Sequence, residues 1–390
     1  MHHGLLVAWL TLAATIRTDF EGGSLGRIER VSEAHFRCAL AGDVDQDKRN
    51  RQANWYYFRV EGARGPLTID LIDLPGEYNY RPNRGAVTKD TIPVYSEDDA
   101  TWKHFGTVEY DSATPYLRLR ITPRTDQLWI AHVPPYTNRH LEALLASVAG
   151  LRVETIGKSV QGRDLRLLTV SDPAPDAAKK VIWLMFRQHA WEAGSSWACD
   201  GALRFLLSDD TTARRIRRET VFKIFPLCDP DGVARGSVRF NVHGYDLNRN
   251  WDVADPQRMP EIAAQRKAVL DWVDSGRRVD LFVTLHNTET AEYLEGPPGY
   301  DSLTERFYRA LRDLSTFTPT RPPRSTEPTA QAGRMTVVQG LWRDRKIPAF
   351  LIEQMIARNP RLGRLPTIDD RRELGVALVR ATWTAATAKP

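Results

Sequence analysis

Five short apolar segments in the second part of the chain constrain its fold more than any other feature of the sequence. Each has the length of a strand and is apolar enough to be buried on both faces, as the central strands of an α/β sheet are. They span residues 164–170, 181–186, 221–225, 281–285 and 349–352. Helical patterns lie between them, around residues 198–206 and 260–273. The sequence therefore predicts an α/β domain with a mixed, mostly parallel, twisted sheet that is flanked by helices.

The first third of the chain has a different pattern. Its short β-type segments are separated by turns rich in Gly, Pro, Asn and Asp, which is typical of an antiparallel sandwich. Examples are residues 55–60, 67–72 and 117–121. The pattern becomes helical after Pro134. We therefore predict an all-β antiparallel sandwich domain over residues 18–134, followed by the α/β domain over residues 135–390.

The composition excludes several classes of protein. The 390 residues carry 54 Lys and Arg against 49 Asp and Glu, and 42% of them are hydrophobic, so the chain can bury cores and is not disordered. The net charge is only +5, and the basic residues are interleaved with acidic ones, so we expect no nucleic-acid partner. The densest basic cluster is predicted to be a solvated helix face. It consists of Arg214, Arg215, Arg217 and Arg218.

Neither a membrane span nor a disulfide framework is indicated. No apolar run reaches the roughly 18 residues that a spanning helix needs, so we expect no stable membrane insertion. Cys38, Cys199 and Cys228 form no C-x-x-C pair, which argues against a Cys-type zinc site as well as against disulfides. We predict that these cysteines are core residues.

The start of the chain allows two interpretations. Residues 4–16 are apolar and have the length of a signal-peptide core, with Ala13 and Ala14 near a suitable cleavage point. Met1, His2 and His3 carry no Lys or Arg, which a signal peptide normally has there. Either residues 1–17 are a leader and the protein is secreted or periplasmic, or the segment is a buried first strand or a misplaced start and the protein is cytoplasmic.

Chemically apt side chains follow three of the five apolar segments. His189 and Glu192 form an H-x-x-E pair just after the second segment, His286 follows the fourth and Glu353 follows the fifth. An H-x-x-E pair alone is weak evidence, but open α/β sheets bind ligands at the carboxyl ends of their strands. Two histidines and one glutamate suit zinc and leave a fourth position for water, and a second glutamate can take that water's proton.

Residues between these segments add candidates for substrate binding. Residues 236–239 end in Arg239, and residues 246–251 include Asn248 and Arg249. One arginine and an asparagine amide can bind a terminal carboxylate, and a second arginine can face a developing oxyanion. Alternatively, Asp246 and its neighbours form only a hydrogen-bonded turn with surface ion pairs. His243 is a rival ligand, but it lies in a Gly-rich turn, and we expect it not to bind metal.

Taken in order, five motifs resemble the M14 zinc metallocarboxypeptidases. They are RQHAWE (187–192), GSVR (236–239), DLNRNW (246–251), TLH (284–286) and FLIE (350–353). The resemblance is strongest to the cytosolic-carboxypeptidase-type branch, which carries an N-terminal β-sandwich. Further segments resemble that sandwich and the entry to the catalytic domain: FEGGSLGRIERV (20–31), NWYYFRV (54–60), PPYT (134–137) and IGKSVQGRDL (156–165).

The resemblance implies a function and a role for each matching residue. The function is zinc-dependent hydrolysis of the C-terminal peptide bond of a peptide or protein, with residues 135–390 as the catalytic domain. In the implied site, His189, Glu192 and His286 hold one Zn²⁺ per chain, Glu353 is the general base and acid, Arg239 stabilises the oxyanion, and Asn248 and Arg249 grip the C-terminal carboxylate.

The sequence departs from the family pattern in two places. Family members usually carry a tyrosine in the loop upstream of the catalytic glutamate, yet no tyrosine occurs between Tyr308 and Glu353, so another group must close over the substrate. Trp191 stands where pancreatic-type members have an arginine, so the subsite contacts there should differ. Arg334 is either a group that recognises an acidic terminal side chain, as in deglutamylating members, or a solvated loop arginine, which is the simpler interpretation.

Two other functions stay open at this point. A related zinc amidohydrolase on the same scaffold would cleave cell-wall peptides or N-acyl amino acids with the same metal. A non-catalytic binding protein would have no need for the intact set of His189, Glu192, His286 and Glu353. The sequence gives no indication of the oligomeric state.

Overall fold

The computed structural model of the chain describes residues 14–173 and 179–388. The predicted fold class is confirmed: antiparallel β-sheets come first, and an α/β part with a mixed, mostly parallel sheet follows. Residues 1–13 of the predicted leader lie outside the described residues, whereas its last residues, Thr15–Arg17, form a strand that pairs with Tyr57–Glu61. Within the described ranges, no helix is both long and apolar enough to cross a membrane.

The N-terminal part contains two five-stranded sheets and a hairpin. Its strands are Thr15–Arg17 (β1), Ile28–Ser32 (β2), His35–Ala39 (β3), Tyr57–Glu61 (β4), Leu67–Ile72 (β5), Gly76–Tyr78 (β6), Arg81–Asn83 (β7), Val94–Ser96 (β8), Lys103–His104 (β9), Glu109–Asp111 (β10), Tyr116–Ile121 (β11) and Gln127–Ala131 (β12). The sheets have the orders β1-β4-β12-β8-β9 and β10-β11-β5-β3-β2, and β6 pairs with β7. All of their pairs are antiparallel except β3 with β5, which the sequence pattern did not predict.

Alternating side chains build the core between these two sheets. On β4, Phe58 and Val60 are fully buried while Arg59 and Glu61 are only partly covered. Ile69 and Leu71 of β5 pack into the same core from the other sheet. This alternation of buried and partly exposed side chains explains why the sequence pattern predicted strands with one buried face.

The C-terminal part is built on an eight-stranded sheet. Its strands are Arg152–Lys158 (β13), Asp164–Val170 (β14), Lys180–Phe186 (β15), Thr220–Phe225 (β16), Leu281–Thr288 (β17), Tyr293–Gly296 (β18), Arg324–Ser325 (β19) and Ala349–Met355 (β20). They lie in the order β13-β14-β16-β15-β17-β20-β18-β19. The four central strands, β16, β15, β17 and β20, are parallel to one another, and the antiparallel pairs lie towards the edges.

Helices cover both faces of this sheet. They are Asn138–Ser147 (α1), Ala193–Leu206 (α2), Thr211–Glu219 (α3), Pro230–Arg235 (α4), Pro260–Asp274 (α5), Asp301–Leu314 (α6), Val337–Arg345 (α7) and Ile368–Thr387 (α8). On β15, Ile182 and Leu184 pack in one core with residues of α2, α6 and α8. Their neighbours Trp183 and Met185 pack in a second core with residues of α5 and α7. Both faces are therefore apolar, which accounts for the continuous apolar runs in the sequence.

The five predicted strands appear as β14, β15, β16, β17 and β20, but two of them end three residues later than predicted. β17 continues to Thr288 and β20 to Met355, because their backbone ladder continues through polar residues, with His286 opposite Glu353. These two side chains therefore lie inside the strand ends rather than after them. The three cysteines are buried and free.

The basic cluster lies on α3, where Arg214 and Arg215 are exposed, as predicted. Arg217 departs from the prediction, because its side chain is only 14% exposed and pairs with Asp172.

Candidate functional site

The turn after β15 places His189 and Glu192 at the carboxyl edge of the sheet. Arg187 leaves the strand with a positive φ of 59°, and its buried guanidinium donates to the carbonyl oxygen of Ala190 at 2.8 Å. Glu192 then lies at the N-cap position of α2. Because β15 and β17 are parallel and in register up to Phe186 and Leu285, this turn lies beside His286.

Three buried side chains come together here. The Nδ1 atom of His189 is 2.7 Å from Oε1 of Glu192, and Nδ1 of His286 is 3.0 Å from Oε2 of the same carboxylate. The ligand atoms of all three lie within 4.8 Å of one another, and each residue is at most 2% exposed. Burial alone would raise the pKa of Glu192, but the two imidazoles beside it lower that pKa to about 2.

This group fits a zinc ion. The opposite nitrogen of each imidazole is held by an oxygen: Nε2 of His189 is 3.0 Å from Oδ1 of Asp246, and Nε2 of His286 is 3.0 Å from Oε1 of Gln188. Such contacts fix the ring so that Nδ1 presents its lone pair to a metal. Oε2 of Glu192 and Nδ1 of His286 lie 3.0 Å apart, but neither makes a hydrogen bond of good geometry with any of the described residues, as expected for atoms that bind a metal.

Glu353 lies next to this group and faces the same space. It is directly opposite His286 on the neighbouring strand. Its Oε1 accepts a hydrogen bond from the hydroxyl of Tyr293 at 3.4 Å, and its Oε2 has no partner among the residues that the structure describes. Burial and the charge of Glu192 raise the pKa of Glu353 well above its usual value, although Arg239 opposes this.

Asp246 connects the other predicted residues to the histidines. Its Oδ2 accepts from Nε of Arg239 at 2.8 Å, and its Oδ1 accepts from the backbone amide of Asn248 at 2.8 Å. Arg249 donates to the carbonyl oxygen of Asn248 at 2.8 Å. Asp246 therefore holds His189, Arg239 and Asn248 together, a role that sequence analysis missed because it treated this aspartate only as part of a turn.

Most of the predicted site residues line one pocket of about 510 Å³. One side is lined by His189, Glu192, Glu353 and the basic residues Arg239 and Arg249, together with Asn248. The other side is lined by residues of the N-terminal β-domain, among them Gln52, Asn54 and Tyr78. His286 lies beneath the surface, fully buried. That the N-terminal part lines the pocket could not be predicted from the sequence.

The remaining candidates lie around this pocket. His243 is exposed, and the one His/Glu group within metal-binding distance in the described ranges does not include it. Trp191 lines the pocket wall. Arg334 lies in an adjoining pocket of about 210 Å³, which also includes Arg249, and its guanidinium donates to Oδ1 of Asn79 at 2.9 Å.

Two tyrosines reach the pocket although the upstream loop has none. Tyr293 of β18 contacts Glu353, as described above, and Tyr78 of β6 lies with its ring centre 5.9 Å from the guanidinium carbon of Arg239. Neither was predicted, because both lie far in sequence from the loop in which the family tyrosine was sought. The short strand β18 pairs antiparallel with β20 and sets Tyr293 opposite Glu353.

Two family models match the chain. Residues 137–343 match the model described as zinc carboxypeptidase, and residues 16–133 match the cytosolic carboxypeptidase N-terminal domain. An uncharacterized protein of Zymomonas mobilis is 30% identical over 314 residues, which cover 78% of this chain and 77% of that protein. Human cytosolic carboxypeptidase 2 is 29% identical over 295 residues, which cover 68% of this chain. The match spans only 32% of that human protein.

Two bacterial proteins of known structure have the same fold. A metallo-carboxypeptidase from Burkholderia cenocepacia superimposes with a TM-score of 0.81 at 24% identity, over 95% of this chain and 98% of that one. A metallo-carboxypeptidase from Pseudomonas aeruginosa, in complex with (2-guanidinoethylmercapto)succinic acid, gives a TM-score of 0.78 at 25% identity, over 95% and 98% of the two chains.

Proposed function

This chain belongs to the zinc carboxypeptidase family, and from that membership we propose that it is a zinc metallocarboxypeptidase that removes C-terminal residues from peptides or proteins. One observation carries the proposal. His189, Glu192, Glu353 with its free carboxylate oxygen, Arg239 and Arg249 all line one pocket. His286 lies just beneath the pocket wall, within metal-binding distance of His189 and Glu192. This is the donor set that hydrolysis of a terminal peptide bond requires.

We propose that His189, Glu192 and His286 hold one zinc ion per chain through Nδ1, a carboxylate oxygen and Nδ1. A bound zinc ion supplies a Lewis acid that polarises the scissile carbonyl group and lowers the pKa of a water molecule. Asp246 and Gln188 orient the two imidazole rings through their Nε2 atoms. These second contacts support the ligand assignment, because they determine which ring nitrogen is available.

Glu353 is assigned the proton transfers. Its Oε1 is engaged by Tyr293, so Oε2 is the atom that accepts the proton of the attacking water and later returns it to the departing amine. Burial raises the pKa of Glu353, and a carboxylate with a raised pKa is a stronger base than an exposed one. Arg239 is assigned to the carbonyl oxygen, where negative charge develops in the transition state.

Asn248 and Arg249 are assigned to the substrate's terminal carboxylate. Oδ1 of Asn248 already accepts from the backbone amide of Val337 at 3.0 Å, so its Nδ2 is the donor left for substrate. A guanidinium binds a carboxylate through two parallel hydrogen bonds. A free carboxylate held at a set distance from the metal restricts cleavage to the last peptide bond.

The bacterial relative in complex with (2-guanidinoethylmercapto)succinic acid supports a carboxylate-binding pocket. We propose that this compound competes with peptide substrates of the present protein as well.

The cytosolic relatives support a cytoplasmic location. We also propose the boundary near residue 134 between the N-terminal β-domain and the catalytic domain (135–390), because β12 ends at Ala131 and α1 starts at Asn138. The β-domain starts before the predicted residue 18, because β1 (Thr15–Arg17) pairs with β4.

The test uses paired peptides that differ only at the C-terminus. The zinc-loaded protein should release the last amino acid from peptides with a free carboxylate and leave the C-terminally amidated peptides intact, with Glu353→Gln as the inactive control. Equal cleavage of both forms would instead indicate the related amidohydrolase that acts on cell-wall peptides or N-acyl amino acids. Less than about half a zinc per chain after gentle purification, together with no turnover, would favour a binding protein.

A further inference from the structure

Asp43 of the N-terminal β-domain makes an unusual contact with the loop that carries Arg239. A single oxygen, Oδ2, accepts hydrogen bonds from three consecutive backbone amides: Val238 at 2.7 Å, Arg239 at 2.8 Å and Phe240 at 3.2 Å. Successive backbone N–H groups that converge in this way form a binding site for an anion. Here the anion is a side chain 196 residues away in sequence from Arg239.

Asp43 is itself held firmly. Its backbone forms a two-way bridge with Gln52, in which each amide donates to the other's carbonyl oxygen at 2.8 Å. Gln52 lines the pocket. Burial raises the pKa of Asp43, and the three amides oppose this shift because they stabilise the charged form.

The other side of the loop is held by the site itself. Nε of Arg239 donates to Asp246, and Asp246 also contacts His189. The backbone of Arg239 is thus fixed by the N-terminal β-domain, and its side chain is fixed by the catalytic domain. Without Asp43, three amides next to the fully buried side chain of Val238 would lose their acceptor, which favours a shift of the loop.

We propose that Asp43 is a positioning residue for catalysis: it fixes the backbone of residues 238–240 so that the Arg239 guanidinium faces the carbonyl oxygen of the scissile bond. The inference rests on the function proposed above for Arg239. It makes the N-terminal β-domain part of the catalytic machinery rather than an accessory to it.

The expected kinetic effect is specific. Arg239 is assigned to charge that exists only in the transition state, so its displacement should lower kcat and leave KM nearly unchanged. Removing one donor to an oxyanion typically costs a factor of about 100 to 1,000, and displacing it should cost less, about 10 to 100 in kcat. Asp43→Asn keeps an oxygen acceptor and should lose less activity than Asp43→Ala.

The experiment measures kcat, KM, zinc content and thermal unfolding of the full chain with a peptide that has a free C-terminus. Asp98→Asn is the matched control. Asp98 also accepts from two backbone amides, Ala100 at 2.9 Å and Thr101 at 2.7 Å, but its hydrogen-bond partners lie within residues 96–101. This control should keep the wild-type kcat.

A double-mutant cycle with Arg239→Ala separates an effect of Asp43 on the position of Arg239 from a general loss of stability. If Asp43 acts through Arg239, Asp43→Ala should change kcat by less than about twofold in the Arg239→Ala background. The proposal is wrong if Asp43→Ala lowers stability but not kcat, or if it lowers kcat equally in both backgrounds. If Asp43→Ala fails to fold, or if the double variant turns over too slowly to measure, Asp43→Asn provides the test. A lower kcat with nearly unchanged KM supports the proposal, and an unchanged kcat contradicts it. An inactive wild-type protein would instead refute the proposed function.

Discussion

Gly236 lies where the catalytic domain touches the N-terminal β-domain, and even the single methyl group of Gly236→Ala should disrupt this contact. It ends α4 in the left-handed conformation, with φ 66° and ψ 35°. A Cβ atom at this position would lie 2.5 Å from the carbonyl oxygen of Gly23 and 2.7 Å from that of Gly22. Both of these are backbone atoms of the N-terminal β-domain, so they cannot rotate away, and the backbone itself must shift.

The cost of Gly236→Ala is the sum of two effects. A residue other than glycine in the left-handed conformation costs about 1–2 kcal/mol. Forcing an extra methyl group into a packed contact costs about 1–3 kcal/mol more. We therefore expect the free energy of unfolding to fall by about 2–5 kcal/mol.

Gly363→Ala is the control that isolates the first effect. Gly363 has nearly the same φ, 64°, and apart from its two chain neighbours no described residue has a heavy atom within 4 Å of the Cβ it would gain. It should cost only about 1–2 kcal/mol. The assay is denaturant unfolding followed by tryptophan fluorescence, which the 11 tryptophans of the chain make sensitive.

Equal destabilisation by the two variants would refute the argument. It would mean that the close approach of Gly236 to Gly22 and Gly23 contributes nothing in solution. A larger effect at Gly236, together with a lower kcat, would show that the same contact also determines the position of the Arg239 loop three residues later.

Four further predictions concern the site. Glu353→Gln should retain zinc but lose a factor of about 100 to 10,000 in kcat, measured at saturating peptide, because the general base is lost while the ligands stay. Arg249→Ala should raise KM more than it lowers kcat, since the clamp binds the ground state and the transition state alike; a change in kcat alone would contradict this. Removal of zinc by a chelator should abolish turnover and lower the melting temperature, and added zinc should restore both, because the ion binds only the folded site. Arg334→Ala should change kcat/KM for peptides ending in Glu and in Leu by the same factor, because its guanidinium is engaged by Asn79 outside the main pocket; a selective loss for Glu would assign it to the terminal side chain.

The central strands could be predicted from the sequence because both of their faces are buried. Residues 181–186 are apolar without interruption, since alternate side chains enter two different cores. The ends of β17 and β20 could not be predicted in this way. His286 and Glu353 are polar but continue the backbone ladder, so a change of polarity did not mark the end of the strand.

The candidate metal group could be predicted because each member lies near the carboxyl end of a central strand, and parallel strands bring those ends to one edge. The contacts that orient the group could not. Asp246 and Gln188 reach the imidazoles from loops. Loops lack the regular side-chain spacing of strands and helices, so the sequence does not indicate which carboxylate or amide contacts a given ring. The hairpin that carries Tyr78 was also hidden, because its turn residues Asn79 and Tyr80 both have positive φ without the glycine that normally marks such a turn.

Both parts of the chain line the pocket, although each part matches its own family model. Asp43 holds the loop of Arg239, and Nδ2 of Asn54 donates to Oε1 of Glu289 on the pocket wall at 2.9 Å. Gly22 also bonds through its amide to the carbonyl oxygen of Ala234 at 3.1 Å. These contacts are polar and directional, and each leaves an unpaired group if it is broken, so a small rotation between the two parts would cost several hydrogen bonds at once. A substitution at this interface should therefore shift the β-domain and displace Arg239 at the same time, and with them the position of the bound substrate.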